Sequence, residues 1–592
     1  MISRRPFRNN GEFFPILLVV VLFSILVIRL FDLQVVRAEM YWRLSEENRI
    51  RVIPVDAPRG HILDRYGEVL VCNRPSYVVS IIPFKLKQMD QTIRALGTIL
   101  DMEPDEINKR VSQSKYRRFE PIKIKRDIDF KTLAILEEHK LDLPGVIYQV
   151  EPRREYLQGQ LAAHLMGAVG EISARELESL AGRGYRQGSL VGKWGIEREY
   201  EPFLHGNDGV QFVEVSAVGR EIGPLPDRSP VEAKSGSDLV LTIDLSLQRD
   251  AAKALSDSVT GAAVALDPGS GEVLAMVSRP TFDPNIFSAV VPESTWRSLN
   301  EDPDHPLLNR AIQCTYPPGS AMKVVTAAAA LENELITEHT RFAPCTGSYK
   351  YGNRWFGCWK PGGHGSMGLV EAMAQSCDVY FYQLGLKLQL DRWSKFATAC
   401  GFGAPLKLDL PNETGGLIPT RAFYDRRYGK GKWSTGILLN LSIGQGEILV
   451  TPLQMASFMA AVANGGTIYR PHIVKEIRSV GGKVMIKTPE IAGHLPISDS
   501  HLKSIRKSLR AVVHSAEGTG RLAAVEDVEV AGKTGTAQNP HGEDHAWFVG
   551  FAPIDSPRIA VVVLVEHGGH GGTTAAPIAG RIIEAYLRRG GV

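Results

Sequence analysis

From Phe13 to Ile28 the chain carries no charged residue, and the apolar run continues through Arg29 and Leu30 to Phe31. With the long Arg29 side chain reaching back to the interface, Phe13 to Phe31 is just long enough to cross a bilayer as a helix. Arg4, Arg5 and Arg8 precede it, which predicts a cytoplasmic tail over 1–12 and places everything after Asp32 outside. A cleaved signal peptide is the alternative: Val36-Arg37-Ala38 is a weak small-residue site, but Arg29 and Asp32 separate it from the apolar run. No second run reaches spanning length, so a single anchor over 13–31 is expected.

Beyond the anchor, the stretch from Leu33 to Ala217 mixes short strand-like runs, such as Tyr77 to Ile82, with charged helical ones, such as Lys131 to Lys140. Residues 219–238 are rich in Pro, Gly and Ser and read as a linker, which separates a domain over 32–218 from one over 239–592. In the second domain, Leu239 to Ile243 is strand-like, and Asp244 or Ser246 can cap the helix that follows. Ala262 to Leu266 and Glu272 to Val277 are joined by Asp267-Pro-Gly-Ser-Gly271, strong hairpin punctuation. Trp547 to Phe551 and Ile559 to Val565 are two further strands, a helix from about Ala575 to Arg588 closes the chain, and residues 320–515 read as mainly helical. Strands at both ends with helices between predict one sheet assembled from distant segments and covered by helices, an α+β form of the α/β class.

Length changes the picture little: 592 residues exceed what one core can serve. Charge changes it more. Against 68 basic side chains stand 65 acidic ones, and that balance removes nucleic acid from the partners to consider.

The chemistry concentrates in the second domain. Tyr316-Pro317-Pro318-Gly319 cannot continue a helix, and Ser320-Ala321-Met322-Lys323 begins an Ala-rich one running to about Leu331. Ser320 and Lys323 then share a helical face, with the amine in reach of a hydroxyl that needs a base, at a helix N-terminus suited to an oxyanion. Ser-x-x-Lys also occurs at Ser112/Lys115, Ser500/Lys503 and Ser504/Lys507, where a solvated helix face is the plain reading. Ser320 stands apart through its breaker-then-helix context and two companions. These are Ser376-Cys377-Asp378 and Lys533-Thr534-Gly535-Thr536, the latter following Val528 to Ala531 and reading as an edge strand. The trio matches the pattern of acyl-serine penicillin-interacting enzymes.

On these motifs the chain resembles the class B penicillin-binding proteins, nearest to their elongation-specific branch, over nearly its whole length. Arg59 to Gly67 and Gly192-Lys193-Trp194-Gly195-Ile196-Glu197 are similar to signatures of the family's pedestal module. Pro317 to Ser320, Gly444-Gln445-Gly446 with Thr451-Pro452-Leu453-Gln454, and His545 to Phe548 resemble segments of its catalytic domain. Asp378 stands where many relatives carry Asn, and elongation-type members often carry Asp. The resemblance implies a β-lactamase-like catalytic domain, an antiparallel sheet flanked by helices, behind a mixed α+β pedestal and one transmembrane helix. It implies a single-pass protein of the cytoplasmic (inner) membrane with its catalytic domain in the periplasm, cross-linking peptidoglycan stem peptides and trapped by β-lactams. Ser320 is then the nucleophile and Lys323 its base; Ser376 relays a proton, with Asp378 beside it. Lys533 and Thr534 hold the substrate carboxylate, and the Ser320 and Thr536 N–H groups, with Gly535 between strand neighbours, form the oxyanion hole. A membrane glycan polymerase of the SEDS (RodA-like) type and the elongation complex are the implied partners. A D,D-carboxypeptidase, a β-lactamase, and a β-lactam sensor or scaffold are the rival readings.

Of six cysteines, Cys345, Cys358 and Cys377 fall close together with His364 among them. Three thiolates and an imidazole suit structural zinc, though the spacing is not that of a standard finger; a Cys345–Cys358 disulfide or buried thiols are the alternatives. The resemblance favours zinc, because elongation-type relatives carry a mixed Asp/His/Cys site here, with Cys345 replacing an Asp absent at Ala343. Cys72, Cys314 and Cys400 read as buried single thiols, Gly444-Gln445-Gly446 is not a phosphate loop, and His567 to His570 reads as a rim loop.

Overall fold

The computed structural model describes residues 13–42, 50–86, 88–113, 121–215, 221–225, 228–256, 259–288 and 291–589. The predicted tail over 1–12, with its arginines, and residues 219, 220, 226 and 227 of the predicted linker lie outside the described residues.

Helix α1 (Phe13–Phe31) holds the apolar run, and no part of the span Phe14–Val36 is buried by the rest of the chain. At its C-terminal end Asp32 accepts from Arg29 at 2.8 Å and from Arg37 at 3.2 Å, so Arg29 has a partner where the apolar run ends.

The first outer domain is organised by one long strand. Strand β1 (Ile62–Leu63) pairs with the start of β2 (Val69–Ile81), β3 (Ile122–Ile128) with its end, and β4 (Val146–Tyr156) along its other side from Val71 to Ile81. Strand β5 (Asp238–Leu241) then adds to the same sheet, running parallel to β1 with Leu239 opposite Ile62. Val474–Arg478 pairs on the far side of β5. The two domains therefore share a sheet. The described part of the predicted linker is also tied down: Glu221–Pro224 pairs with Gly209–Val215, Val231 bridges Val210, and Lys234 bridges Asn207. Pro and Gly mark the turns of that segment, but its backbone polar groups are met by a neighbouring strand.

Beneath this sheet lies a buried ion cluster that joins the two pedestal-like signatures of the sequence. Arg59 reaches Glu197 at 2.6 Å and Glu201 at 2.8 Å, and Arg154 reaches Glu197 at 2.6 Å. Burial alone would raise the Glu197 carboxyl, but the guanidiniums of Arg154 and Arg59 hold it below the usual range.

The second domain is built on five strands. After α2 (Leu245–Leu255), capped by Asp244 through a 2.9 Å bond from Leu247 N–H, come β6 (Gly261–Leu266) and β7 (Val273–Arg279). Helices α3 (Lys323–Glu332), α4 (Asp378–Leu388), α5 (Pro452–Ala463) and α6 (Asp499–His514) follow. Strands β8 (Ala531–Ala537), β9 (His545–Ala552) and β10 (Ile559–Val565) and helix α7 (Ala575–Arg589) complete the domain. The order is β7-β6-β10-β9-β8, antiparallel throughout, with β8 on the edge. Alternation along the strands divides their side chains between two cores. Val264, Trp547 and Val562 face α3 and α5, while Ala263, Phe548 and Val561 face α2 and α7. Helices on both faces explain why Ile559 to Val565 is apolar without a break.

Residues 320–515 are less purely helical than expected. They include the hairpin Ser348–Tyr351/Arg354–Gly357 and the strands Thr467–Tyr469, Val474–Arg478, Val484–Ile486 and Ile491–His494. Such short runs have too few residues for their period to be legible.

Glu197→Ala, which would leave Arg59 and Arg154 without that buried partner, is expected to destabilise the protein by about 3–5 kcal/mol. Chemical denaturation checks this; a loss below about 1 kcal/mol would mean the cluster is held by its surroundings.

Candidate active site

Ser320 sits half-buried in a single 3-10 turn, Gly319–Met322, that leads into α3. The turn is fixed from several sides. Tyr316 N–H donates to the Val450 carbonyl at 2.9 Å, and its hydroxyl donates to Glu566 at 2.5 Å, a carboxylate that also takes Arg310 Nε at 3.0 Å. The Trp547 indole N–H donates to the Pro317 carbonyl at 3.1 Å.

The turn lies directly against the edge strand. A Cβ on Gly319 would sit 2.6 Å from the Thr536 carbonyl oxygen, and one on Gly535 would sit 2.8 Å from the Pro318 carbonyl. Both glycines are required by this approach. The Thr536 carbonyl accepts from Gln445 Nε2 at 3.1 Å, so it points out of the sheet, and the N–H of the same residue points to that side too. Two amides, of Ser320 and Thr536, thereby come to one corner of the cleft.

Lys323 is fully buried, and its amine spans the cleft floor instead of turning to Ser320. Its three hydrogen bonds go to the Ser376 carbonyl at 2.8 Å, Ser376 Oγ at 3.2 Å and Asp378 Oδ1 at 2.7 Å. Ser376 holds φ near +54°, a conformation that costs a non-glycine residue about 1–3 kcal/mol and persists only where the surroundings impose it. Cys377 occupies the N-cap position of α4, and Asp378 opens the helix. The second oxygen of Asp378 accepts from Trp359 N–H at 3.0 Å.

On β8, Lys533 is also fully buried, and among the described residues its amine finds only Thr534, the carbonyl at 3.0 Å and Oγ1 at 3.5 Å. Burial, and then the nearby Lys323 charge, push this ammonium well below an ordinary lysine, against a weaker pull from Asp378. Such a site favours an incoming anion. Thr534 and Thr536 share the other side of the strand, and Thr534 Oγ1 lies 2.8 Å from Thr519 Oγ1.

All eight expected residues thus converge on one cleft, with a division of contacts that spacing did not give. The other described Ser-x-x-Lys pairs lie on the outer face of α6, where Lys507 meets Glu338 at 3.0 Å; Lys115 lies outside the described residues. Three contributors went unassigned in the sequence. Gln445 clamps Thr536, Thr519 ties Thr534 to the Ala374 carbonyl before the second cluster, and Trp359 holds Asp378. The glycines around Thr519 and Gln445 are the only local signal, since each acts through backbone contacts made by distant segments.

The cysteine cluster stands behind the same turn. Cys345, Cys358, His364 and Cys377 place one donor atom each within 4.8 Å of one another, and all six cysteines are free thiols. Cys345 Sγ and Cys358 Sγ lie 3.6 and 3.5 Å from His364 Nδ1. Zinc bonds of about 2.3 Å to sulfur and about 2.0–2.1 Å to nitrogen, at tetrahedral angles, put sulfur and nitrogen about 3.6 Å apart, so the donor set fits that ion. His364 Nε2 is buried with no hydrogen-bond partner among the described residues, which leaves Nδ1 as the nitrogen turned to the sulfurs. Of the remaining thiols, Cys400 is buried, whereas Cys72 and Cys314 are half-buried.

Comparison with known proteins follows the same lines. The model of the penicillin binding protein transpeptidase domain matches residues 261–584, and that of the penicillin-binding protein dimerisation domain matches 54–241. The peptidoglycan D,D-transpeptidase MrdA of Acinetobacter baumannii is 34% identical, over 99% of this chain and 88% of its own. A solved complex between penicillin-binding protein PBP2 and MreC from Helicobacter pylori superposes with a TM-score of 0.79 at 29% identity, over 92% of this chain and 99% of that one. A structure described as the coordination of polymerization and crosslinking by a peptidoglycan synthase complex superposes with a TM-score of 0.70 at 32% identity, over 98% of each chain.

Gly444 donates no side chain to the cleft, yet its Cβ would fall 2.1 Å from the Gly319 carbonyl, at a φ of +73°. Gly444→Ala is expected to displace the Ser320 turn and slow covalent labelling by a β-lactam by about 100-fold. Stopped labelling reactions read the rate, and an unchanged rate would show that the turn is set elsewhere.

Proposed function

The chain belongs to the penicillin-binding protein transpeptidases, in the penicillin-binding protein 2 branch, and from that premise we propose how its cleft divides the work. It is an acyl-serine peptidoglycan D,D-transpeptidase that cross-links stem peptides during elongation, carried on a membrane by its N-terminal apolar helix. The proposal concerns its residues, its metal and its surroundings.

Ser320 Oγ attacks the penultimate D-Ala carbonyl, and its proton passes to the Lys323 amine. The Asp378 carboxylate, 2.7 Å away, stabilises the ammonium that results. The oxyanion develops against the N–H groups of Ser320 and Thr536. As the amide C–N bond breaks, Ser376 Oγ gives its proton to the departing D-Ala nitrogen and recovers one from Lys323, 3.2 Å away. An acceptor amine then attacks the ester, loses its proton by the reverse route, and frees Ser320. Lys533 and Thr534 hold the terminal carboxylate of the donor peptide. The observation that carries this reading is Lys533: a fully buried amine met, among the described residues, by Thr534 oxygens alone is placed to take an anion from the substrate.

Cys345, Cys358, His364 and Cys377 hold one structural zinc ion, supported by their donor distances and by the tetrahedral preference of that set. The ion supplies a rigid tie and takes no part in bond-making. It fixes the turn that carries Ser376 and Asp378, because Cys377 lies between them.

The anchor runs with its N-terminus inside and the catalytic domain in the periplasm, supported by Arg4, Arg5 and Arg8 before the apolar run. The enzyme works within an elongation complex with a polymerase of the SEDS (RodA-like) type, a reading supported by one solved relative in complex with MreC and another in a peptidoglycan synthase complex.

Ser320→Ala is expected to abolish β-lactam labelling and cross-linked product while leaving stimulation of the glycan polymerase intact. Residual cross-linking by that variant would reject Ser320, and release of D-Ala without cross-linked dimer by the parent would favour a carboxypeptidase. Elemental analysis of the purified chain is expected to give about one zinc per chain. Cys377→Ser should lower that content and slow acylation about tenfold or more. Unchanged metal and unchanged acylation together would end the zinc reading.

A further inference from the structure

The hairpin Ser348–Tyr351/Arg354–Gly357 stands beside the cleft and has two unlike faces. Tyr349 and Phe356 oppose each other and turn inward, the Phe356 ring packing 5.9 Å from Tyr382. Tyr351 is tied to Thr435 by a 2.6 Å hydrogen bond. On the other face Lys350 opposes Trp355, with Nζ 5.7 Å from the indole centre and the indole 64% exposed. Just past the second strand, Trp359 is 57% exposed, and its N–H is the group that holds Asp378. Two exposed indoles therefore stand on this side of the molecule, Trp355 on the hairpin and Trp359 just past it, the backbone N–H of Trp359 reaching the catalytic turn.

The hairpin and the loop after it are basic in their own residues. Between Ser348 and His364 the chain carries Lys350, Arg354 and Lys360 and no acidic residue. Residues 421–433, just before the Thr435 that holds Tyr351, carry five basic side chains and Asp425; Arg421 is paired with Asp391 at 2.9 Å, and Glu447 accepts from Tyr424 and Tyr428. In a protein whose charges otherwise nearly cancel, this concentration marks a surface made for a polyanion. None of these side chains enters the acyl-transfer steps above.

We propose that this face docks the glycan–peptide strand of peptidoglycan, its sugar rings packed on the Trp355 and Trp359 indoles and its stem-peptide carboxylates paired with Lys350 and Lys360. The inference rests on the transpeptidase reading of the cleft and adds a polymer-binding surface to it. Sugar rings present flat C–H faces that pack on exposed indoles, and the rigid hairpin offers those indoles at little entropic cost. Each exposed charge pair contributes little by itself. A polymer that repeats the same sugars and carboxylates engages several at once, which multiplies weak contacts into stable docking.

The test uses the full-length chain in detergent, with insoluble peptidoglycan for sedimentation and a soluble fluorescent penicillin for acylation. Combining Lys350→Glu with Trp355→Ala is expected to weaken peptidoglycan binding about tenfold or more while acylation by the penicillin is unchanged. Undiminished binding overturns the proposal. Should the indole truncation also slow acylation, Lys350→Glu alone decides, because it leaves the packed face of the hairpin in place: binding weakened with normal acylation supports the surface, and undiminished binding overturns it. Failure of the parent chain to be acylated would instead overturn the reading of Ser320, so the two failures are distinct.

Discussion

A buried lysine amine must have its hydrogen-bonding groups met, and the site is arranged around that requirement at Lys323. Its three partners all lie on the Ser376–Asp378 turn, which forces α3 and α4 to present their N-terminal ends to each other. The strained φ of Ser376 is the consequence, since only that conformation lets the carbonyl, the hydroxyl and the following carboxylate reach one amine. Asp378 then has one oxygen left, and Trp359 N–H takes it, so the loop bearing Cys358 is drawn into the same network. Chemistry, helix placement and the loop of the cysteine cluster all meet at one buried amine.

A second constraint is the contact between two backbones. The Ser320 turn and the edge of β8 approach more closely than any side chain permits, which is why Gly319, Gly535 and Gly444 stand at the meeting points. Since β8 has a neighbour on one side only, the outward amide of Thr536 remains available to the cleft while its inward neighbours complete the ladder. Edge strands are usually a hazard; here the open edge is the binding element.

The mixed sheet makes the first outer domain more than a spacer. With β5 inserted between β1 and Val474–Arg478, strands from both domains form one hydrogen-bonded surface. Tyr200 adds a side-chain tie, donating to Asp409 at 2.7 Å, whose oxygens also accept the N–H groups of Ile473 and Val474.

The sequence by itself determined what depends on neighbours in the chain. The anchor, the hairpin around Asp267 to Gly271, the cap at Asp244, the strands of the five-stranded sheet and the helix bearing Lys323 are all local patterns of period, breaker and cap, and they were legible. So were the three motifs that the structure brings together, because they occur in order with suitable flanks. Only the tertiary structure decided who meets whom. Lys323 bonds across to Ser376 and Asp378, Gln445 and Thr519 brace the edge strand, Arg59 finds Glu197, and Glu221–Pro224, Val231 and Lys234 pair with residues 207–215 where composition suggested a linker. Those choices rest on contacts between segments far apart in the chain, and a pairwise approach of backbones leaves only a glycine as its trace in the sequence.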